Sequence, residues 1–264
     1  MRASDKDWGL RGAFRETLWE PFLQAVADYR LLEPGDRVAV CVSGGKDSML
    51  LARLMLDWQP LSPVPFELVC LIMDPGYSAE NRAKVEANAR LLSIPYMLMD
   101  SDIFRVIEGE RNPCFLCARM RRGWLYKHAQ ALGCNKIALG HHLDDAVETT
   151  LIAMLYGAQL QGMAPRIAAE HYPGMSLIRP LYRVHEEDIL AWQRAMGLSF
   201  IRCACPFTEA RETRNGVSKR QEVKELLARL NRDDPGLRDR LFESLHRLEP
   251  ESLPSLSREG LSSN

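Results

Sequence analysis

Val38 to Leu50 reads VAVCVSGGKDSML, an apolar run that stops at two glycines and continues at once with a lysine, an aspartate and a serine. A buried strand turning through glycines into a helix leaves free backbone N–H groups at the helix N-terminus, and both amides and dipole favour an anion. Without a Cβ, consecutive amides can turn inward. A Walker A loop needs four residues between its first glycine and the Gly-Lys pair to wrap a triphosphate. This corner is too short for that and suits a pyrophosphate end. Ser43, Gly44, Gly45, Lys46 and Ser48 are the candidate cradle, with Asp47 free to help hold Mg²⁺. The same letters also allow a plain strand-to-helix turn, with Ser43 as N-cap and Lys46 solvated.

Outward from this corner the chain alternates. Gly45 to about Trp58 has helical periodicity, FELVCLIMD reads as a buried strand, Ala79 to Leu92 as a helix and PYMLMD as a strand. A cysteine-containing turn, the helix ARMRRGWLYKHAQALG, the strand KIALG and the helix DDAVETTLIAMLYG follow. Strands separated by helix-length segments predict an α/β fold, a doubly wound parallel sheet with right-handed crossovers. Residues 158–174 read as a loop, followed by SLIRPL and the helix EEDILAWQRAMG. The expected organisation is an N-terminal helical segment over 1–35, a nucleotide-binding domain over 36–200, a small helical C-terminal extension over 201–250 and a flexible tail over 251–264.

A chain of 264 residues with 46% hydrophobic content can bury a full core. The opening MRASDKDWGLRG has no apolar signal region, and no stretch approaches a membrane span, so the expected location is the cytoplasm, without a membrane partner. A net charge of −1 gives no global pull toward nucleic acid, so RNA contact would need local basic patches.

ALGHHLDDAVETTL (Ala138 to Leu151) repeats the architecture one strand on: an apolar run, Gly140, then His141, His142, Asp144 and Asp145 at a helix start. Open α/β sheets bind ligands at this C-terminal edge, where such carboxylates can hold Mg²⁺ or position a nucleotide. Local capping, with Asp145 and Glu148 at capping-box spacing, accounts for one acid but not for the whole cluster.

Seven cysteines in a chain without an export signal argue against a disulfide framework. Cys41 and Cys70 lie within apolar strands and Cys134 follows a helix-ending glycine, so packing explains all three. Cys114 and Cys117 in NPCFLCARM have the C-x-x-C spacing by which two thiolates share a metal or cluster, or act as a redox or persulfide pair. Cys203 and Cys205 in RCACP are too close together for the usual zinc spacing. One C-x-x-C and a single distant cysteine would leave one iron of a cubane cluster open to substrate or sulfide.

SGGKDS resembles the PP-loop of the ATP-pyrophosphatase superfamily, over Arg37 to about Ser199, and GHHLDD resembles the signature of its tRNA-thiolating branch. With PCFLC, YGAQLQGMAPR, IRPL and CACPF, the chain from about Trp19 to Leu248 resembles the tRNA 2-thiocytidine synthetase family (TtcA type). That resemblance implies ATP-dependent thiolation of a tRNA cytidine, at position 32, with AMP and pyrophosphate as products. It implies ATP, Mg²⁺ and a [4Fe–4S] cluster held by Cys114, Cys117 and a late cysteine, Cys205 or Cys203. Asp47, Asp144, Asp145 and His141 would be catalytic, and Gly140 would join the nucleotide site. tRNA, a sulfur donor such as a cysteine desulfurase or free sulfide, and a second copy of the chain are the implied partners. A cluster-free persulfide relay, as in thiouridylases, and a non-enzymatic nucleotide sensor with a structural metal are the competing readings.

Directly after the C-x-x-C come Arg119, Arg121, Arg122, Lys127 and His128, interleaved with Trp124 and Tyr126. Such a face could meet an RNA backbone and stack an unpaired base, or be a solvated amphipathic helix with Trp124 in the core.

Overall fold

Alternate residues of the opening run point to opposite sides of a sheet, and both sides are covered. The computed structural model describes residues 8–108, 110, 113–201, 218–247 and 249, and of Pro113 and Cys114 the backbone only. In β1 (Asp36–Val42), Val38, Val40 and Val42 face a core that includes Phe22, Leu50, Leu51, Leu54 and Trp192. Ala39 and Cys41 face a second core with Leu71, Tyr126, Ala129 and Ile137. A strand buried on both faces reads as a continuous apolar run because neither face meets water.

β2 (Phe66–Asp74), β3 (Tyr96–Asp100), β4 (Lys136–Ala138), β5 (Arg166–Ala168) and β6 (Ser176–Ile178) complete a six-stranded sheet of order β3-β2-β1-β4-β6-β5. All neighbours are parallel except β5 against β6. The connecting helices are α1 (Glu20–Asp28), α2 (Lys46–Trp58), α3 (Ala79–Leu91), the short α4 (Ile103–Val106), α5 (Pro113–Ala131), α6 (Leu143–Gly157) and α7 (Glu186–Ala195). The expected α/β class with a doubly wound parallel sheet holds. The order reverses between β1 and β4, so the loops leaving these two strands open a crevice at the carboxyl edge, the usual ligand position in such sheets.

Three local expectations change. Residues 166–168, read as part of a loop, form the antiparallel edge strand β5. The cysteine motif belongs to α5, which begins at Pro113, and not to a preceding turn; proline suits the first helical position because its missing N–H is unpaired there anyway. The C-terminal helical stretch is two helices, α8 (Lys219–Asp233) and α9 (Leu237–Ser244), separated at Gly236, whose φ is +89°. No helix among the described residues is long and apolar enough to cross a membrane.

The chain divides into two compact units, Met1–Leu143 with Ala164–Gly216, and Asp144–Met163 with Val217–Asn264. The first holds the whole sheet. The second contains α8 and α9, which bury Val223, Leu227 and Phe242, and all but the first residue of α6.

At the amino edge of the sheet a charged staple joins β1 to β4. The Lys136 ammonium, 2% exposed, lies 2.6 Å from Asp36 Oδ2 and donates to the Leu31 carbonyl at 3.0 Å. Asn135 Nδ2 donates to Asp36 Oδ1, and Asn135 Oδ1 accepts the Arg37 N–H. Removing one partner of a buried pair leaves the other undercompensated, here with Glu33 Oε2 still 3.5 Å from the Lys136 ammonium. Asp36→Ala is therefore expected to cost about 3–5 kcal/mol in urea unfolding. An apolar double replacement, Asp36→Leu with Lys136→Met, should cost less than either single change; a loss below about 1 kcal/mol for Asp36→Ala would contradict this reading.

Candidate nucleotide and cluster sites

The glycine corner is braced from inside. The Ser43 N–H donates to Ser48 Oγ at 3.0 Å, the two serine hydroxyls lie 3.1 Å apart, and the Ser48 hydroxyl donates to the Gly45 carbonyl at 3.0 Å. Ser48 is buried, so its hydroxyl shapes the loop from behind. Gly44 has φ +84°, and a Cβ there would fall 2.5 Å from Val85 Cγ2 and 2.9 Å from Ile201 Cδ1. Only glycine fits that position, for conformation and for space. Gly45 is the N-cap of α2, in extended conformation and without a side-chain cap, which leaves first-turn amides available to an anion.

Lys46 reaches two carboxylates at once, Asp47 Oδ1 and Glu186 Oε1, each at 3.0 Å. Burial pulls its ammonium down, but the two carboxylates outweigh burial and hold it above the usual lysine value. It stays a cation throughout the neutral range. Glu186, in the first turn of α7, was not singled out in the sequence; it lies 140 residues from Lys46, and HEED signals only a helix start.

The second corner abuts the first. At Gly140, just beyond β4, a Cβ would stand 2.9 Å from the Asp47 carbonyl carbon and 3.0 Å from the Ser48 nitrogen, so the two loops touch backbone to backbone. Beyond it, buried His142 places Nε2 3.9 Å from Asp47 Oδ1. His141 Nδ1 accepts from Arg179 Nε at 3.4 Å. Because a guanidinium can only donate, this contact places the proton of a neutral His141 on Nε2. Arg179, buried just past β6 in IRPL, carries no local signal of this contact, 38 residues from His141.

A third loop completes the edge. Buried Asp74, the last residue of β2, accepts the Gly76 and Tyr77 N–H groups at 2.8 and 2.6 Å and lies 3.3 Å from Arg82 Nη1. Fixed in this way, Tyr77 sends its hydroxyl to the Ser43 carbonyl at 3.0 Å. Its ring packs in a T-shape on Phe104, in an apolar cluster formed by Met73, Ile103, Phe104, Ile107 and Cys117. Tyr77 thus links the glycine corner to the surroundings of Cys117.

Cys114 and Cys117 are one turn apart at the start of α5. Cys117 is buried in that apolar cluster, at the C-x-x-C spacing from Cys114 by which two cysteines can share a metal. The Cys114 side chain, Cys203 and Cys205 lie outside the described residues. Cys41, Cys70 and Cys134 are free and buried; burial pushes all three thiols up, Cys70 to about 12, which makes them inert.

The sequence matches the family model of the PP-loop domain over residues 16–223. Among curated proteins it is 39% identical to the tRNA-cytidine(32) 2-sulfurtransferase of Syntrophotalea carbinolica, over 87% of this chain and 88% of that one. The protein of the same name from Geobacter sulfurreducens is 37% identical over 88% and 90%. The chain belongs to the tRNA-cytidine(32) 2-sulfurtransferase family, within the PP-loop domain proteins. Among solved structures, the U34-tRNA thiolase NcsA from Methanococcus maripaludis with its [4Fe-4S] cluster superposes with a TM-score of 0.67 at 22% identity, covering 88% of this chain and 79% of that one. That likeness is one of fold.

For a member of the tRNA-cytidine(32) 2-sulfurtransferase family, the acids of GHHLDD have unexpected company. Both fall in the second unit, where Arg238 Nη1 donates to Asp144 Oδ1 at 2.6 Å and Arg220 Nη1 to Asp145 Oδ1 at 3.2 Å. Glu148 has Arg220 and Lys224 at 3.6 and 3.8 Å. Among the described residues, no group of three or more His, Cys, Asp or Glu side chains is disposed to hold a metal ion. Asp144, 2% exposed, ties α9 to α6 through Arg238. Asp144→Asn is expected to lower stability by about 2–3 kcal/mol, read by thermal or urea melting. An unchanged melting curve with lost activity would instead assign the carboxylate to chemistry.

Proposed function

We propose that this protein is an ATP-dependent, iron–sulfur-dependent tRNA thiolase that converts cytidine 32 to 2-thiocytidine, releasing AMP and pyrophosphate. One observation carries the reading: the pyrophosphate-sized corner and the Cys117 cluster stand at one sheet edge, joined by Tyr77, in a chain of this family.

The amides at Gly44, Gly45 and the first turn of α2 would hold the β- and γ-phosphates, with Lys46 leaving its carboxylates to meet them. Asp47 would take Mg²⁺, which the freed carboxylate suits as a hard oxygen ligand. The C2 oxygen of the cytidine attacks the α-phosphorus, and the bond to the pyrophosphate oxygen breaks. This turns a poor leaving group into AMP. The incoming sulfur then bonds to C2, and the C2–O bond breaks as AMP departs with the original oxygen. His141, its Nδ1 turned to Arg179, would donate from Nε2 to the nucleotide or to that oxygen. Ser48 braces the glycine corner from within, and Gly140 lets the second loop approach it backbone to backbone.

What supports a [4Fe–4S] cluster in the described residues is that Cys114 and Cys117 share one helical turn, the spacing at which two thiolates can ligate one cluster. With Cys205 or Cys203 as third ligand, the cluster would supply an open iron at which sulfur can be presented. A cysteine desulfurase or free sulfide would furnish the sulfur.

Nucleoside mass spectrometry of tRNA from a strain lacking this gene tests the reading. Loss of 2-thiocytidine, restored by the gene, is the expected result; unchanged 2-thiocytidine in the deletion removes the substrate assignment.

A further inference from the structure

The aromatic residues that the sequence offered as stacking surfaces on the basic helix are already engaged. Tyr126 is buried and stacks on Tyr172, with ring centroids 4.9 Å apart and planes 12° from parallel. Trp124 stacks on its own helix neighbour His128 at 3.8 Å and packs against the Cys117 cluster.

Phe115 is the opposite case. It is 72% exposed, more than any other large hydrophobic side chain among the described residues, and it lies between the two cysteines of the C-x-x-C. Ala118, Arg119 and Arg122 are also exposed, and their spacing from residue 115 places all four on one face of α5. Ala118 is the small residue of this face, and the arginines follow at one and two turns. From Pro113 to Ala131 the helix carries three arginines and a lysine and no carboxylate. An exposed phenyl ring costs free energy in water, so its position calls for an occupant with a flat apolar face, and the arginines call for one that is anionic.

We infer that Phe115 is a stacking platform for an unpaired base of the substrate RNA, with Arg119 and Arg122 gripping the adjoining phosphates. The inference rests on the thiolase reading and deepens it. Chemistry at C2 requires the target base to leave its stack, and an exposed ring in the first turn of the cysteine-bearing helix gives it, or its loop neighbour, a surface to re-stack on. Planar bases stack on phenyl rings without regard to sequence, so the platform tolerates different loops.

The test uses the reconstituted holoprotein and an anticodon stem-loop RNA with 2-aminopurine next to cytidine 32. Phe115→Ala should weaken binding about ten-fold or more and abolish the fluorescence quench, while iron content and ATP binding stay at wild-type levels. Phe115→Trp should retain both affinity and quench. Arg119→Gln and Arg122→Gln should each flatten the logarithmic salt dependence by about 0.7. The inference is overturned if Phe115→Ala binds and quenches like the wild type, or if its effect is to separate a dimer while RNA affinity is kept. A wild-type protein that ignores the stem-loop altogether would bring down the thiolase reading itself, a result distinct from equal binding by wild type and variant.

Discussion

Replacing Lys46 with alanine is expected to slow AMP and pyrophosphate formation by about 10²–10³-fold, the usual cost of removing one donor aimed at developing charge. The effect has two sources. The phosphates lose a cation held charged by its neighbours, and Asp47 and Glu186, which shared that cation at 3.0 Å each, are left facing one another. Repulsion between them and an incoming triphosphate should raise the KM for MgATP as well as lower kcat. Glu186→Gln is the informative companion. It keeps the lysine and removes one restraint, so its effect should stay within about ten-fold, a change of 1.4 kcal/mol. Measured with tRNA and sulfide present, a Lys46→Ala rate within five-fold of wild type would show that the corner does not hold the reacting phosphates.

Replacing Cys117 with alanine is expected to remove iron and labile sulfide after anaerobic reconstitution and to bring 2-thiocytidine formation to background. The fold should survive, because the change deletes one buried sulfur atom from an apolar cluster and costs about 1 kcal/mol. ATP binding should persist, since the hydrogen bonds that brace the glycine corner from within run between Ser43, Ser48 and Gly45. Cys70→Ala provides the control: its thiol, pushed up to about 12 by burial, should leave iron content unchanged. An iron-free Cys117→Ala protein that still makes 2-thiocytidine would transfer the sulfur step to a persulfide relay.

What could be read from the letters was what is short-range. VAVCVSGGKDSML announces both a strand buried on two faces and a phosphate corner because strand, glycines and first helical turn are adjacent in sequence. ALGHHLDD announces a second such corner for the same reason, and parallel pairing of β1 with β4 puts both on one edge. The partners that tune these corners were not legible. Glu186 meets Lys46 and Arg179 meets His141 only through the fold, and neither residue type is distinctive where it stands. Asp144 and Asp145 meet arginines from α9 and α8, contacts that no spacing rule announces. The start of the cysteine-bearing helix does carry a local signal, since a proline suits the first helical position.

The antiparallel strand β5 bears on how copies of this protein can meet. A sheet edge normally offers unpaired amides and carbonyls onto which a strand from another molecule can add. Here that edge is three residues long and carries Arg166, whose guanidinium reaches back to the Arg30 carbonyl at 2.9 Å and to Glu33 at 3.2 Å. A strand so short and so charged is a poor template for aggregation, so the sheet ends where β5 ends.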